Sequence, residues 1–265
     1  MGILDDILAT KRDEVTVLRR PATREMLQRV ALAAPPTRRF ADALRRDDGH
    51  LAVIAEFKRR SPSKGELAPT LDPGTTARSY ADGGAAALSV LTDRPYFGGA
   101  IADLEAARQE SGLPTLRKDF VIDEIQVYET RAVGADAMLL IVAALDDERL
   151  ADLHALGVEL GLDVLVETHD DHEVERALRA GARIVGVNSR SLQTFGEDLS
   201  IAERLRASIP PECVAVAESA VRSVDDAQRM ADAGFDAVLV GEALVRTADP
   251  TSLCASMAAC ERSGR

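Results

Sequence analysis

The sequence predicts a single (β/α)8 barrel, an α/β fold of the TIM-barrel type, preceded by a helical extension. Three observations support this: strand-like and helix-like segments alternate eight times, a Gly-containing connection recurs, and all the strand-like segments except the fourth end in polar residues. These strands are short and rich in Val, Ile, Leu and Ala, as is typical of parallel strands buried on both faces. We therefore divide one domain, 1–265, into an extension at 1–48 and a barrel at 49–265.

The extension has three helical patterns, at residues 3–18, 24–33 and 40–46, and we expect it to cover one end of the barrel. In the barrel, apolar runs predict strands and a 3.6-residue periodicity predicts helices. The predicted strands are 51–58, 86–91, 114–118, 137–142, 163–167, 184–188, 214–218 and 237–240. The predicted helices are 74–82, 99–110, 124–133, 146–160, 170–179, 201–208, 224–233 and 250–260.

One connection occurs four times between a helix and the next strand. Gly84, Gly134, Gly181 and Gly234 each follow a helical pattern, at spacings of 50, 47 and 53 residues. Glycine suits the left-handed backbone position just after a helix. Each interval holds two strand–helix units, so four such pairs give the eight units of a closed barrel. A doubly wound open sheet is the alternative, but no strand leads into a GxGxxG turn.

The composition limits the partners of this protein. The 265 residues carry a formal net charge of −12, and 3% of them are aromatic, with no Trp. Such a surface repels nucleic acid and anionic membranes, and no apolar run is long enough to span a bilayer. The three cysteines, Cys213, Cys254 and Cys260, are odd in number and fit a reducing compartment. We expect a cytoplasmic monomer that binds a small molecule and neither nucleic acid nor membrane.

Polar residues at the carboxyl ends of the predicted strands indicate the active site, because barrels of this kind bind substrates there. A buried Lys or Glu is costly unless it is paired, so several of them converging on one mouth point to function. The first strand runs into a Ser-Pro-Ser-Lys-Gly loop whose hydroxyls and positive charge suit an anion. The strand-end residues are Glu56, Lys58, Ser89, Arg117, Lys118, Glu167, Asn188, Arg190, Glu218, Ser219, Gly241 and Glu242.

The chemistry is expected to depend on Lys and Glu side chains. We interpret His50, His154, His169 and His172 as solvated surface residues, because none ends a strand. There is no GxSxG turn and no His-partnered Cys, which argues against serine or thiol hydrolysis. No residues have metal-ligand spacing, so we expect neither a metal nor a cofactor. A strand-end lysine that forms a Schiff base, as in an aldolase, stays open as an alternative.

A phosphate site is expected at the loops after the seventh and eighth strands, where such barrels commonly bind phosphate. Ser219 offers a hydroxyl there, and Gly241 lets a ligand approach the backbone. Ser61, Ser63 and Lys64 of the first loop can reach the same mouth.

Seven motifs follow one another along the barrel. They are E-x-K-x-x-SPSKG from Glu56, SVLTD from Ser89, FGG from Phe97, LRKDF from Leu116, VE-x-H from Val166, VN-x-R-x-L from Val187 to Leu192, and AES from Ala217. Together they resemble the indole-3-glycerol-phosphate synthase family of tryptophan biosynthesis, and the resemblance extends over the barrel and the extension. It implies the conversion of 1-(2-carboxyphenylamino)-1-deoxyribulose 5-phosphate into indole-3-glycerol phosphate, CO2 and water.

The resemblance also implies roles for individual residues. Lys118 matches the general acid that protonates the ketone oxygen or the leaving hydroxyl, and Glu167 matches its acid/base partner in the dehydration. The catalytic set further comprises Glu56 and Lys58, which orient and charge the site, together with Asn188 and Ser219. The substrate-binding set comprises Arg190, on the benzoate carboxylate, and Ser61, Ala220, Gly241 and Glu242, at the phosphate.

The sequence departs from the family pattern at three places. Ala220 stands where the family usually has Gly, Ala243 where it often has Ser, and Glu124 with Ile125 where it more often has Pro-Tyr. These departures concern phosphate affinity or substrate range. Two other functions are weighed against synthase activity: a different phosphosugar enzyme on the same barrel, and a phosphosugar-binding subunit without turnover. The intact Lys58, Lys118 and Glu167 argue against both.

Overall fold

The computed structural model describes residues 2–190 and 196–263, and over these residues eight parallel strands close a barrel. Each strand pairs with its neighbours in chain order, and the first strand also pairs with the last. The strands are β1 (Ala52–Phe57), β2 (Ala87–Leu91), β3 (Thr115–Lys118), β4 (Ala137–Ile141), β5 (Asp163–Thr168), β6 (Ile184–Asn188), β7 (Val214–Glu218) and β8 (Ala237–Val240). The (β/α)8 fold is thus confirmed, and the predicted strand bounds differ from these by about one residue at most.

Helices surround the barrel and precede it. They are α1 (Ile3–Leu18), α2 (Pro21–Ala33), α3 (Phe40–Leu44), α4 (Pro73–Asp82), α5 (Arg94–Phe97), α6 (Ile101–Ser111), α7 (Glu124–Ala132), α8 (Asp147–Glu159), α9 (Asp171–Arg179), α10 (Leu199–Arg206), α11 (Val224–Asp232), α12 (Glu242–Arg246) and α13 (Pro250–Ala258). None of the helices in the described part of the chain is long and apolar enough to cross a bilayer.

The sequence missed the short elements that follow strand ends. These are α5, α12, a single 3-10 turn at Val142–Ala144 and a hairpin that pairs Arg60–Ser61 with Gly65–Glu66. They are too short to show a hydrophobic period. Helix α2 begins at Pro21, three residues earlier than predicted, because proline fits the first position of a helix.

The repeated connection has two physical causes. Its four glycines adopt φ values between 79° and 94°, which confirms the predicted left-handed conformation. In two repeats an Asp follows two residues later, and its carboxylate accepts a backbone N–H from the start of the preceding strand. Asp136 accepts from Thr115 at 2.9 Å, and Asp236 accepts from Ala215 at 2.9 Å. The repeat therefore ends a helix and fixes the beginnings of two adjacent strands.

The extension covers both ends of the barrel rather than the one end expected. At the amino ends of the strands, Phe40 and Leu44 of α3 are fully buried among the inward-facing side chains. The backbone N–H of Ala41 donates to Asp163, at the start of β5, over 2.9 Å. Helix α1 lies at the opposite end, where its Lys11 reaches residues that follow β2 and β3.

Lys11 fastens α1 to the carboxyl end of the barrel. Its Nζ atom lies 2.9 Å from Asp93 and 2.9 Å from Asp119, and its side chain is 3% exposed. Burial opposes the charge of Lys11, but Asp119, Glu14 and Asp93 outweigh this and raise the pKa of its ammonium above the ordinary value. A buried charge held by two carboxylates gives α1 one position over the mouth of the barrel.

We expect Lys11→Met to lower the free energy of unfolding by about 3–5 kcal/mol, because it leaves the buried Asp93 without its cation and removes one of the two cations beside Asp119. The exposed neighbour Arg12 provides the matched control, and Arg12→Met should change the free energy by less than about 0.5 kcal/mol. Urea unfolding of the three proteins measures both values. Equal losses in the two variants would show that the buried pairs add nothing beyond surface charge.

Candidate active site

A cavity opens at the carboxyl ends of the strands, and it brings together the residues that were given catalytic or binding roles. The strand-end residues Ser89 and Arg117 and the loop residue Lys64 do not line it, and Arg117 bonds to Thr130 and Glu129 of α7 instead. The lining of the cavity includes Glu56, Lys58, Ser61, Lys118, Glu167, Asn188, Arg190, Ser219, Ala220, Gly241 and Glu242. It also includes residues that carried no prediction: Ile3, Leu4 and Ile7 of α1, together with Glu197 and Arg222. The motif residue Leu192 lies outside the described residues.

Lys118 lies at the centre of the cavity, at the end of β3. Its Nζ atom is 2.6 Å from Glu218 at the end of β7 and 3.2 Å from Glu167 on β5. Burial opposes the charge, but Glu218, Glu167 and Glu56 outweigh it and raise the pKa of Lys118 above its ordinary value. The side chain is therefore an ammonium at neutral pH, held between two carboxylates that line the same cavity.

Glu218 is the most buried carboxylate of the group, and the sequence placed it at a strand end without giving it a role. Its side chain is 1% exposed. Burial raises its pKa, Lys118 counteracts this, and the carboxylate of Glu167 raises it further, to about 7. Gly186 on β6 provides the space, since a Cβ atom there would lie 2.0 Å from Glu218 Oε1. Glu218 and Glu167 thus face one lysine with different proton affinities.

Glu56 and Lys58 form a second ion pair at the end of β1. Lys58 Nζ donates to Glu56 Oε1 over 2.7 Å. Burial opposes ionisation of Glu56, but Lys58, Lys118 and Arg190 lower the pKa of Glu56 below its ordinary value. Gly241, predicted at the phosphate site, faces this pair: a Cβ there would lie 2.4 Å from Glu56 Oε1. The ion pair therefore favours a residue without a side chain at the end of β8, whatever else that residue contacts.

Glu167 has neutral and charged partners on three sides. Asn188 Nδ2 donates to its Oε1 atom over 2.9 Å, and Lys118 approaches its Oε2 atom. Burial opposes ionisation, but Lys118, then His169 and Asn188, lower the pKa of Glu167. Glu167 is therefore held as a carboxylate.

The interpretation of two histidines as solvated surface residues is wrong. His154 is buried in α8. His169 has a side chain that is 15% exposed, and its Nε2 atom lies 3.5 Å from Glu167 Oε1. His169 was not predicted to belong to the site, because it follows the last residue of β5 and therefore does not end the strand.

Arg190 links the loop after β6 to the loop after β1. Its Nη1 atom donates to Ser63 Oγ over 2.6 Å, and its other Nη atom pairs with Glu197. Arg222, after β7, pairs with the same Glu197 carboxylate. The two guanidinium groups therefore face the cavity with one carboxylate between them.

The loop after β7 has a strained backbone. Ser219 and Ala220 adopt φ values of 63° and 61°, and the Val221 N–H bonds to the Ser219 carbonyl over 2.8 Å. For a residue other than glycine, the left-handed conformation raises the conformational free energy by about 1–2 kcal/mol. The departure from the family pattern at Ala220 thus falls at a position that glycine would occupy without strain.

One wall of the cavity is apolar. The rings of Phe97 and Phe120 lie with centroids 6.0 Å apart, and Ile3 and Ile7 of α1 line the same cavity. Helix α1 is also tied to α5 by a hydrogen bond of 3.0 Å between Thr10 and Tyr96. An aromatic ring would be enclosed here, next to the charged group around Lys118.

The arrangement can give and take protons beside an enclosed apolar ligand. It offers a buried ammonium, a carboxylate of lowered pKa and a carboxylate of pKa about 7 around one point. Within residues 2–190 and 196–263, no three His, Cys, Asp or Glu side chains are grouped to hold a metal ion.

Solved structures of low sequence identity share the fold. A tryptophan synthase from Mycobacterium tuberculosis matches with a TM-score of 0.64 and 17% identity, over 86% of this chain and 100% of that chain. The 3-hexulose-6-phosphate synthase from Salmonella typhimurium matches with a TM-score of 0.63 and 14% identity, over 78% and 97%.

Sequence comparisons identify the family. The family model described as indole-3-glycerol phosphate synthase matches residues 4–257. The chain is 50% identical over 262 residues to the indole-3-glycerol phosphate synthase of Arthrobacter sp. (strain FB24), covering 98% of this chain and 96% of that protein. It is 50% identical over 249 residues to indole-3-glycerol phosphate synthase 2 of Streptomyces coelicolor, covering 94% and 96%. This chain belongs to the indole-3-glycerol phosphate synthase family.

Proposed function

We propose that the protein converts 1-(2-carboxyphenylamino)-1-deoxyribulose 5-phosphate into indole-3-glycerol phosphate, CO2 and water. The observation that carries the proposal is the ammonium of Lys118, fixed between Glu167 and Glu218 beside an apolar wall, in a chain of this family. The substrate has a matching form, because an amine nitrogen joins its aromatic ring to an anionic phosphosugar, and the ketone that must react lies next to that link.

In the first step Lys118 donates a proton to the ketone oxygen while the ring carbon that bears the carboxylate attacks the ketone carbon. The wall that contains Phe97 and Phe120 would hold the aromatic ring. Arg190 would bind the carboxylate, in place of its present contact with Glu197. Lys58, paired with Glu56, keeps positive charge beside the developing anion.

In the second stage the carboxylate leaves as CO2 and its electron pair returns to the ring. The new hydroxyl then leaves as water, with a proton from Lys118, while Glu167 accepts the proton lost from the substrate. Lys118 gives a proton in each stage, so it must regain one between ring closure and dehydration. Glu218 has a pKa of about 7 and can supply that proton near neutral pH. After the dehydration, the proton held by Glu167 and one proton from solvent restore Lys118 and Glu218.

The phosphate would bind at the loops after β7 and β8, with Ser61 closing from the hairpin after β1. Ser219, Ala220 and Glu242 line this part of the cavity. All of these residues line one cavity of one barrel, so the proposed reaction requires no residue from a second copy of the chain.

The proposed reaction is tested by mixing the protein with the anthranilate-derived ribulose phosphate and following indole fluorescence. A rise in fluorescence supports the proposal. Borohydride added during turnover separates the reaction from Schiff-base chemistry, since it would trap a covalent adduct only in the aldolase alternative. Binding without fluorescence would favour the non-catalytic alternative.

We expect Lys118→Ala and Glu167→Gln each to lower kcat by about 10²-fold or more, with a much smaller change in KM, because both act on protons in the transition state. Glu159→Gln, at the exposed end of α8, is the matched control and should keep kcat. Steady-state kinetics measure all three. Near-native turnover in either site variant would remove the role assigned to that residue.

We expect Ala220→Gly to lower KM several-fold and to leave kcat nearly unchanged, because phosphate contacts are equal in the ground and transition states. The left-handed strain of Ala220 should also disappear, raising the free energy of unfolding by about 0.5–1 kcal/mol. Ala259→Gly, at an exposed helix end with φ of −88°, is the control and should give neither gain. A KM that stays the same or rises would mean that Ala220 already presents its N–H correctly.

A further inference from the structure

His169 lies between two carboxylates, and it approaches a different oxygen of Glu167 from the one that Lys118 contacts. Its Nδ1 atom lies 3.0 Å from Glu173 Oε2, and the same oxygen accepts the backbone N–H of His169 over 2.8 Å. Its Nε2 atom lies 3.5 Å from Glu167 Oε1. This Nε2 atom is buried and has no hydrogen-bond partner among the described residues.

The geometry favours one protonation state of the ring. In either neutral tautomer one ring nitrogen presents a lone pair, and here each nitrogen faces a carboxylate oxygen. A lone pair against an anion is repulsive, whereas the imidazolium has a donor for each side. Burial lowers the pKa of His169, but Glu173, Glu167 and Glu218 outweigh this and raise it above the ordinary value.

We propose that His169 is a positioning residue whose imidazolium, fixed by Glu173, keeps Glu167 ionised and directed at the substrate. This inference rests on the proposed function, in which Glu167 must accept a proton. Lys118 is the main cation beside Glu167, yet it gives its proton to the ketone in the first step. His169 then remains as a cation beside the other oxygen of the carboxylate, at a position that does not line the cavity.

The charged groups around His169 come from four elements. Glu167 faces it from β5, Glu173 from the first turn of α9, and Glu218 from β7, with Lys118 of β3 shared between the first and the last. Glu173 is itself fixed, because its N–H bonds to Asp170 over 2.8 Å as α9 begins. Apart from His169, the cation in this group is Lys118, which loses its charge when it protonates the ketone.

The test compares His169→Gln with Glu173→Gln, and uses His172→Gln as the control because His172 is exposed on α9. In His169→Gln the cation is lost, so the acidic limb of the kcat profile should move up by about one pH unit while KM stays within about twofold. In Glu173→Gln the ring still carries its charge in the acidic range, so the limb should stay in place.

Nuclear magnetic resonance titration of the ring proton gives a readout that does not require turnover. We expect His169 to titrate above the ordinary His pKa in the native protein and lower in Glu173→Gln. A purely structural role would instead lower kcat equally in both variants, with no shift of the limb.

An unmoved limb in His169→Gln, or a native His169 that titrates at or below the ordinary value, overturns the inference. If His169→Gln does not fold, His169→Asn and the titration of the native protein decide. A native protein that makes no indole product refutes the proposed function instead, and the titration then still reports whether the imidazolium exists.

Discussion

The ion pairs of Lys118 with Glu218 and Glu167 are the interaction on which the rest of the site depends. A parallel barrel has an apolar interior, so charged side chains are tolerated only at its ends and only when paired. Three carboxylates and two lysines share this small volume, and each pair fixes the geometry of the next. The absence of side chains at Gly186 and Gly241 follows from the same constraint, because a Cβ atom at either position would collide with a carboxylate.

Helix α1 lies outside the barrel and strengthens the electrostatic interactions of the site. It covers the charged group with apolar side chains, and a low-dielectric surrounding strengthens every interaction beneath it. The same helix reaches Asp119, the residue after Lys118, through its own buried lysine. The position of the cover and the position of the proton donor are therefore set by adjacent residues of one strand end.

The fold could be read from the sequence because its signals are local. Apolar runs such as 184–188 and the repeated Gly lie within a few residues of the structures they produce, and the strand ends then follow from the barrel. The convergence of Glu56, Lys118 and Glu167 was predictable for the same reason.

The parts that the sequence missed depend on contacts across the chain. His169 was mistaken for a surface residue because its burial comes from α9 and from neighbouring strands. Ile3 and Ile7 form a regular amphipathic stripe that does not say which surface it covers. Glu218 was placed correctly, but its raised pKa arises from the burial that Gly186 permits and from Glu167, two residues on other strands.

Closure of the barrel has a consequence for the order in which this chain can fold. Strand β1 pairs with β2 on one side and with β8 on the other, and Ala52 and Ala237 are partners across that seam. Contacts so far apart in the chain form slowly, because a long loop must close first. The tie between Lys11 and Asp119 spans a shorter stretch and can form while the second half of the barrel is being synthesised. Until β8 is synthesised, one edge of β1 has no strand to pair with. The nascent protein therefore exposes an unpaired, aggregation-prone strand edge for most of its synthesis.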